Sequence, residues 1–139
     1  MTGIILKYNN VLFIIMILFF GSINVSEAAA FNTGVYPGES FIDPTVSIDV
    51  TNFSIGSESY IAPFTTFSGD YVSIGSYSDI QDGVSNSGRI KIDDDAVVAH
   101  GAQLSGDVEI GSKAFIGFNS IIKDSKIADG AYIGIGSTV

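Results

Sequence analysis

Residues 92–122 read "IDDDAVVAHGAQLSGDVEIGSKAFIGFNSII". An aliphatic side chain recurs at every sixth position: Ile92, Val98, Leu104, Ile110, Ile116 and Ile122. Four places after the first five stand Ala96, Ala102, Val108, Ala114 and Ser120, all small or β-branched. A helix would repeat near 3.6 residues and a half-exposed strand near 2. A period of six with two linked positions is instead the signature of a hexapeptide β-helix. Each hexapeptide supplies one short strand and a turn. Its aliphatic residue points into a narrow interior, and only a small residue fits the corner beside it. Three hexapeptides close one triangular coil, and stacked coils pair their strands in parallel about 4.8 Å apart.

The rule extends in both directions. Upstream it gives Ile42 and Ile48, then Ile55, Ile61 and Phe67, then Ile74 and Ile80; after a one-residue slip downstream it resumes at Ile127, Ile133 and Val139. The corner series adds Ser59, Thr65, Ser78, Val84, Ala131 and Ser137. The pattern predicts an all-β fold, a single-stranded parallel β-helix over residues 42–139 with roughly five coils, and no helix after residue 30. Left-handed winding is implied by the repeat family, not by the spacing.

The first thirty residues follow another logic. Lys7 precedes the apolar run "VLFIIMILFF" (11–20), and Ala28 and Ala30 are placed like an A-x-A cleavage site. That is the layout of a secretory signal peptide over residues 1–30. The alternative is an uncleaved membrane anchor over residues 4–25, although the run is shorter than the roughly 20 apolar residues of a spanning helix. Residues 31–41, "FNTGVYPGESF", read as an irregular lead-in punctuated by Gly and Pro. The expected location is secreted or otherwise extracytoplasmic.

Composition narrows the partners. Six Lys and Arg stand against 15 Asp and Glu, a formal net charge of -9. Such a surface repels phosphate backbones, so nucleic acid is not an expected partner. Cysteine is absent, which removes disulfides and thiolate metal sites. His100 is the only histidine, and a zinc site needs three or four protein ligands. "KIDDDA" (91–96) is a solvated acidic turn, because a calcium loop needs a longer series of oxygen ligands.

"DIQDGVSNSG" (79–88), "VVAHGAQLSG" (97–106) and "IGSKAFIGFNSII" (110–122) together resemble the gamma-class carbonic anhydrases. The resemblance runs from about Phe41 to Val139 and is most specific at Ile80-Gln81-Asp82-Gly83. It implies a left-handed β-helix that assembles as a trimer, with extracytoplasmic members among its kind. The implied reaction is zinc-dependent, reversible hydration of CO2 to bicarbonate. Three histidines hold the zinc at a cleft between subunits, two from one chain and one from its neighbour. The family writes I-Q-D-G-x-x-x-H and later H-G-x-x-x-H-G. In this chain Ser87 and Ser105 occupy two of the three ligand positions and His100 the third, which implies weak or lost activity. Gln81 and Asp82 match the polar residues near the metal-bound water. Asp70, in "FSGDY" (67–71), matches the aspartate that pairs across the interface, but Ser68 replaces the partner arginine.

Plainer readings stand beside these. His100 can be a polar residue on a solvated face. Gln81, Asp82 and Asp70 can be turn formers that bond local backbone. The repeat also fits a hexapeptide acyltransferase, in which a lone histidine acts as general base on an acceptor hydroxyl. It fits equally a non-catalytic solenoid that associates with related subunits.

Overall fold

The computed structural model describes residues 40–139, together with the backbone of residues 23–25 and 34–36. The proposed signal peptide and lead-in lie otherwise outside the described residues. The strands are β1 (Ile23–Val25), β2 (Gly34–Tyr36), β3 (Ser40–Ile42), β4 (Ser47–Ile55), β5 (Tyr60–Ile61), β6 (Thr66–Ile74) and β7 (Asp79–Ile80). They continue as β8 (Ser85–Ile92), β9 (Val97–Val98), β10 (Gln103–Ile110), β11 (Phe115–Ile116), β12 (Ile121–Lys123), β13 (Lys126–Ile127) and β14 (Tyr132–Ile133). No helix occurs among the described residues.

The chain is a parallel β-solenoid of about five coils. One sheet stacks β4, β6, β8, β10 and β12 in that order, and the other stacks β3, β5, β7, β9, β11 and β14. From β3 to β14 every pairing is parallel; β1 and β2 add antiparallel to β4 and β3. β3 already pairs with β5 in parallel, through Phe41 and Ile42.

The six-residue series forms the interior. Ile42, Ile61, Ile80, Val98, Ile116 and Ile133 are register partners in one ladder. Ile55, Ile74, Ile92, Ile110 and Ile127 form a second. Except for the half-buried Ile133 these side chains are buried, each burial stabilising by about 1.5–3 kcal/mol. The small corner residues are buried too, except for the partly buried Ala131 and Ser137 of the last coil, and their hydroxyls have a definite task. Ser59 Oγ donates to Gly75 O at 2.7 Å, Ser78 Oγ to Asp93 O at 2.9 Å and Thr65 Oγ1 to Gln81 O at 3.0 Å. Each hydroxyl ties its corner to a turn carbonyl of the next coil, so no buried polar atom is left bare there.

The third ladder contains the exception. It runs Ile48, Phe67, Asn86, Leu104, Ile122. Asn86 is 1% exposed. Its Nδ2 donates to Thr66 O at 3.2 Å, while its Oδ1 has no hydrogen-bond partner.

All breaks in the six-residue spacing fall at one corner, the bend within the long strands. In place of a buried small residue and an open turn, this corner carries Gly69, Gly88 and Gly106, followed by inward Val72, Ile90 and Val108. Gly88 has φ +108, and a Cβ there would sit 2.5 Å from Gly106 O, so only glycine fits. Thr51 and Asp70 are extra residues at this bend. The register shift between Ser68 and Tyr71 marks the bulge where coils with the insertion give way to coils without it. The slip before Ile127 lies at the same corner, around Asp124.

Candidate functional site

The turns that leave β7 and β9 stack one above the other, and they carry the residues the sequence singles out. Gln81-Asp82-Gly83 ends one strand and Ala99-His100-Gly101 the next. Gln81 N–H donates to Val98 O at 2.9 Å, and Gly101 N–H donates to Asp82 O at 3.1 Å, so backbone bonds lock the two turns together.

This stacking brings three of the predicted side chains into one cluster. His100 Nδ1–H donates to Asp82 Oδ2 at 2.8 Å. The backbone N–H of His100 donates to Gln81 Oε1 at 3.2 Å. Both side chains of the Asp82–His100 pair are about half exposed. A neutral ring that donates from Nδ1 to this carboxylate keeps its lone pair on Nε2. Nε2 has no partner among the described residues. Gln81 has its oxygen occupied and its NH2 group available. The cluster can therefore accept a proton at one imidazole nitrogen and donate from one amide.

The other predicted residues lie elsewhere. Ser87 in β8 and Ser105 in β10 are direct register partners, in a column with Ser68 and Lys123. They alternate with the buried Asn86 and Leu104 and so point outward from a face that begins after the histidine turn. Asp70 sits at the bulge, exposed, and makes no ion pair among the described residues.

A zinc centre does not fit the residues of one chain. Among the described residues no three His, Cys, Asp or Glu side chains come close enough to hold a metal ion. Asp82 and His100 form a pair without a third ligand, and the two serines offer only weakly coordinating hydroxyls.

The acidic turn at 91–96 is bound into the solenoid as expected of a solvated structural element. Lys91 Nζ pairs with Asp93 at 2.9 Å, and Asp94 Oδ1 accepts the Ser76 N–H at 2.8 Å.

Sequence reasoning missed the feature beside the cluster. A shallow groove of about 430 Å³ is lined by Tyr60, Pro63 and Phe64 on one coil and by Asp79, Gln81 and Asp82 on the next. The signal was present in the register. Phe64 occupies a turn slot filled by Gly83, Gly101, Asn119 and Gly136 in later coils.

No protein-family model matches this chain, and no curated protein matches it.

Proposed function

We propose that the chain is a gamma-carbonic-anhydrase-like solenoid, exported from the cytoplasm, whose zinc chemistry has been lost and which acts as a non-catalytic, assembling subunit. One observation carries this reading: Ser87 and Ser105 are adjacent on one face, while His100 stands at the turn before it. That is a two-plus-one division, the arrangement in which a site at a subunit cleft takes two ligands from one chain and the third from its neighbour. Left-handed winding and a homotrimer belong to the same reading, as does association with related subunits. Zinc, CO2 and bicarbonate are the ligands the ancestral site would have served.

The test restores the missing imidazoles. The native protein should bind zinc sub-stoichiometrically and hydrate CO2 at the background rate by stopped flow. Ser87→His with Ser105→His should raise zinc toward one ion per cleft in a trimer. Stoichiometric zinc with brisk turnover in the native protein refutes the loss. A trimeric double variant that ignores zinc refutes the family reading. Light scattering supplies the assembly state, and N-terminal sequencing from the native host should begin at Phe31.

The Asp82–His100 hydrogen bond favours a second reading. A carboxylate-oriented imidazole with Nε2 outward is the geometry of a general base, as an acyl transfer to a hydroxyl requires. Binding of an acyl thioester carrier, abolished by His100→Ala, would select this reading over the first.

A further inference from the structure

Phe64 carries two costs that the fold does not repay. Its φ is 61°, in the left-handed region where a bulky side chain is strained. Its ring is 69% exposed. The same slot in later coils holds Gly83, Gly101, Asn119 and Gly136, residue types that tolerate this backbone. Its N–H is held by Thr45 Oγ1 at 2.9 Å, a bond any residue there would make. The left-handed backbone itself is the repeat's turn geometry, shared by Glu58, Tyr77, Asp95 and Lys113 at the neighbouring corner. Phe64 differs from the exposed Tyr77, whose hydroxyl is held by Glu58, in presenting an apolar ring with no polar tether. That ring is what points to a contact outside the chain.

The surroundings define the chemistry of that contact. Tyr60 lines the same groove from the same coil, 42% exposed. Phe41 stacks on one face of its ring at 5.6 Å and 12°, which fixes the ring. Its register partner on the other side is Asp79. The Asp79 carboxylate has no partner among the described residues, and Asp82 has one oxygen taken by His100. No Lys or Arg lines the groove. Two aromatic rings with two carboxylates form an environment that attracts an organic cation, and the net charge of -9 favours its approach. Anions are repelled, and a bare metal ion lacks a third ligand.

We propose that this groove binds an alkylammonium group, either a free amine or a lysine side chain, between Tyr60 and Phe64 with Asp79 as counter-ion. The site is independent of the zinc question, since it uses neither His100 Nε2 nor the two serines.

The full chain is titrated by NMR with choline and, separately, with Nα-acetyl-lysine amide. The neutral isostere 3,3-dimethylbutanol and the neutral sugar cellobiose serve as controls. One of the two cations should bind saturably and shift Tyr60 and Phe64 resonances, and which one binds tells a free amine from a side chain. The isostere should bind about tenfold more weakly, the size of a desolvated cation–π contact. Phe64→Gly relieves the strained backbone, so it should fold at least as stably as the parent while binding about tenfold more weakly. Asp79→Asn should weaken binding similarly and leave the fold intact. Equal binding of the isostere, preference for cellobiose, undiminished binding by Phe64→Gly, or no binding of either cation overturns the proposal.

Discussion

Asp82 and His100 stand one coil apart and share a 2.8 Å hydrogen bond between Oδ2 and Nδ1. The link ties together the two turns on which the candidate site is built. It fixes which imidazole nitrogen faces outward, and so it decides the chemistry the ring can offer.

Removing the carboxylate should therefore change the tautomer without harming the fold. In Asp82→Ala, nitrogen-15 spectra of the neutral imidazole should move from the Nδ1–H form toward the Nε2–H form that free histidine prefers. Because both groups are half exposed, the stability change should stay within about 1 kcal/mol in a urea melt. An unchanged tautomer would mean the hydrogen bond does not set it.

Asn86 is a second target, because it interrupts an apolar ladder between Phe67 and Leu104. Asn86→Leu removes the unpaired Oδ1 and extends the ladder, and should raise the unfolding free energy by about 1–2 kcal/mol. Asn86→Asp, which would bury a charge, should lower it by about 3 kcal/mol or more. Urea midpoints at constant slope measure both. A leucine variant less stable than the parent would show that the Thr66 hydrogen bond outweighs the orphaned oxygen.

The bend of the long strands should be far less tolerant than the open turns. Gly88→Ala places a Cβ 2.5 Å from Gly106 O at φ +108 and should cost about 3 kcal/mol or more. Gly130→Ala, at φ +65 with nothing within 4 Å, should cost only about 1 kcal/mol. Thermal unfolding of the two variants side by side tests the contrast, and equal costs would contradict it.

Lys126 and Glu109 pair at 2.6 Å on the outer surface. The hydrogen bond and charge of Lys126 hold the Glu109 carboxyl below its ordinary range, and Glu109 in turn raises Lys126. A depressed carboxyl stabilises above its unfolded value, and that contribution is lost as pH falls through the folded one. A raised amine stabilises below its unfolded value, and that contribution is lost as pH rises through the folded one. The stability difference between the parent and Glu109→Gln should thus be flat near neutrality and shrink at both extremes. Lys126 is largely exposed and Glu109 partly so, so added salt should reduce it further. A difference that grew on acidification would contradict the pairing.

The sequence by itself determined which way the residues of the aliphatic series point. A period of six alternates interior, turn and surface locally, so the Ile and Val ladders, the small corners and the absence of helix were legible from residue 42 onward. It also supplied Gln81, Asp82 and His100 as candidates. What it left open was which residues of different coils meet. That depends on the length of each coil, and coil length is set at the glycine bend, where Thr51 and Asp70 are inserted. One residue more or less there shifts later coils in the sequence without disturbing the six-residue rule within any hexapeptide. Only the stacked structure aligned Asp82 with His100, Ser87 with Ser105 and Tyr60 with Asp79. It also put Asn86 into an apolar ladder and Phe64 into a glycine's slot, because backbone pairing across the stack fixes a position even where the side chain there does not favour it.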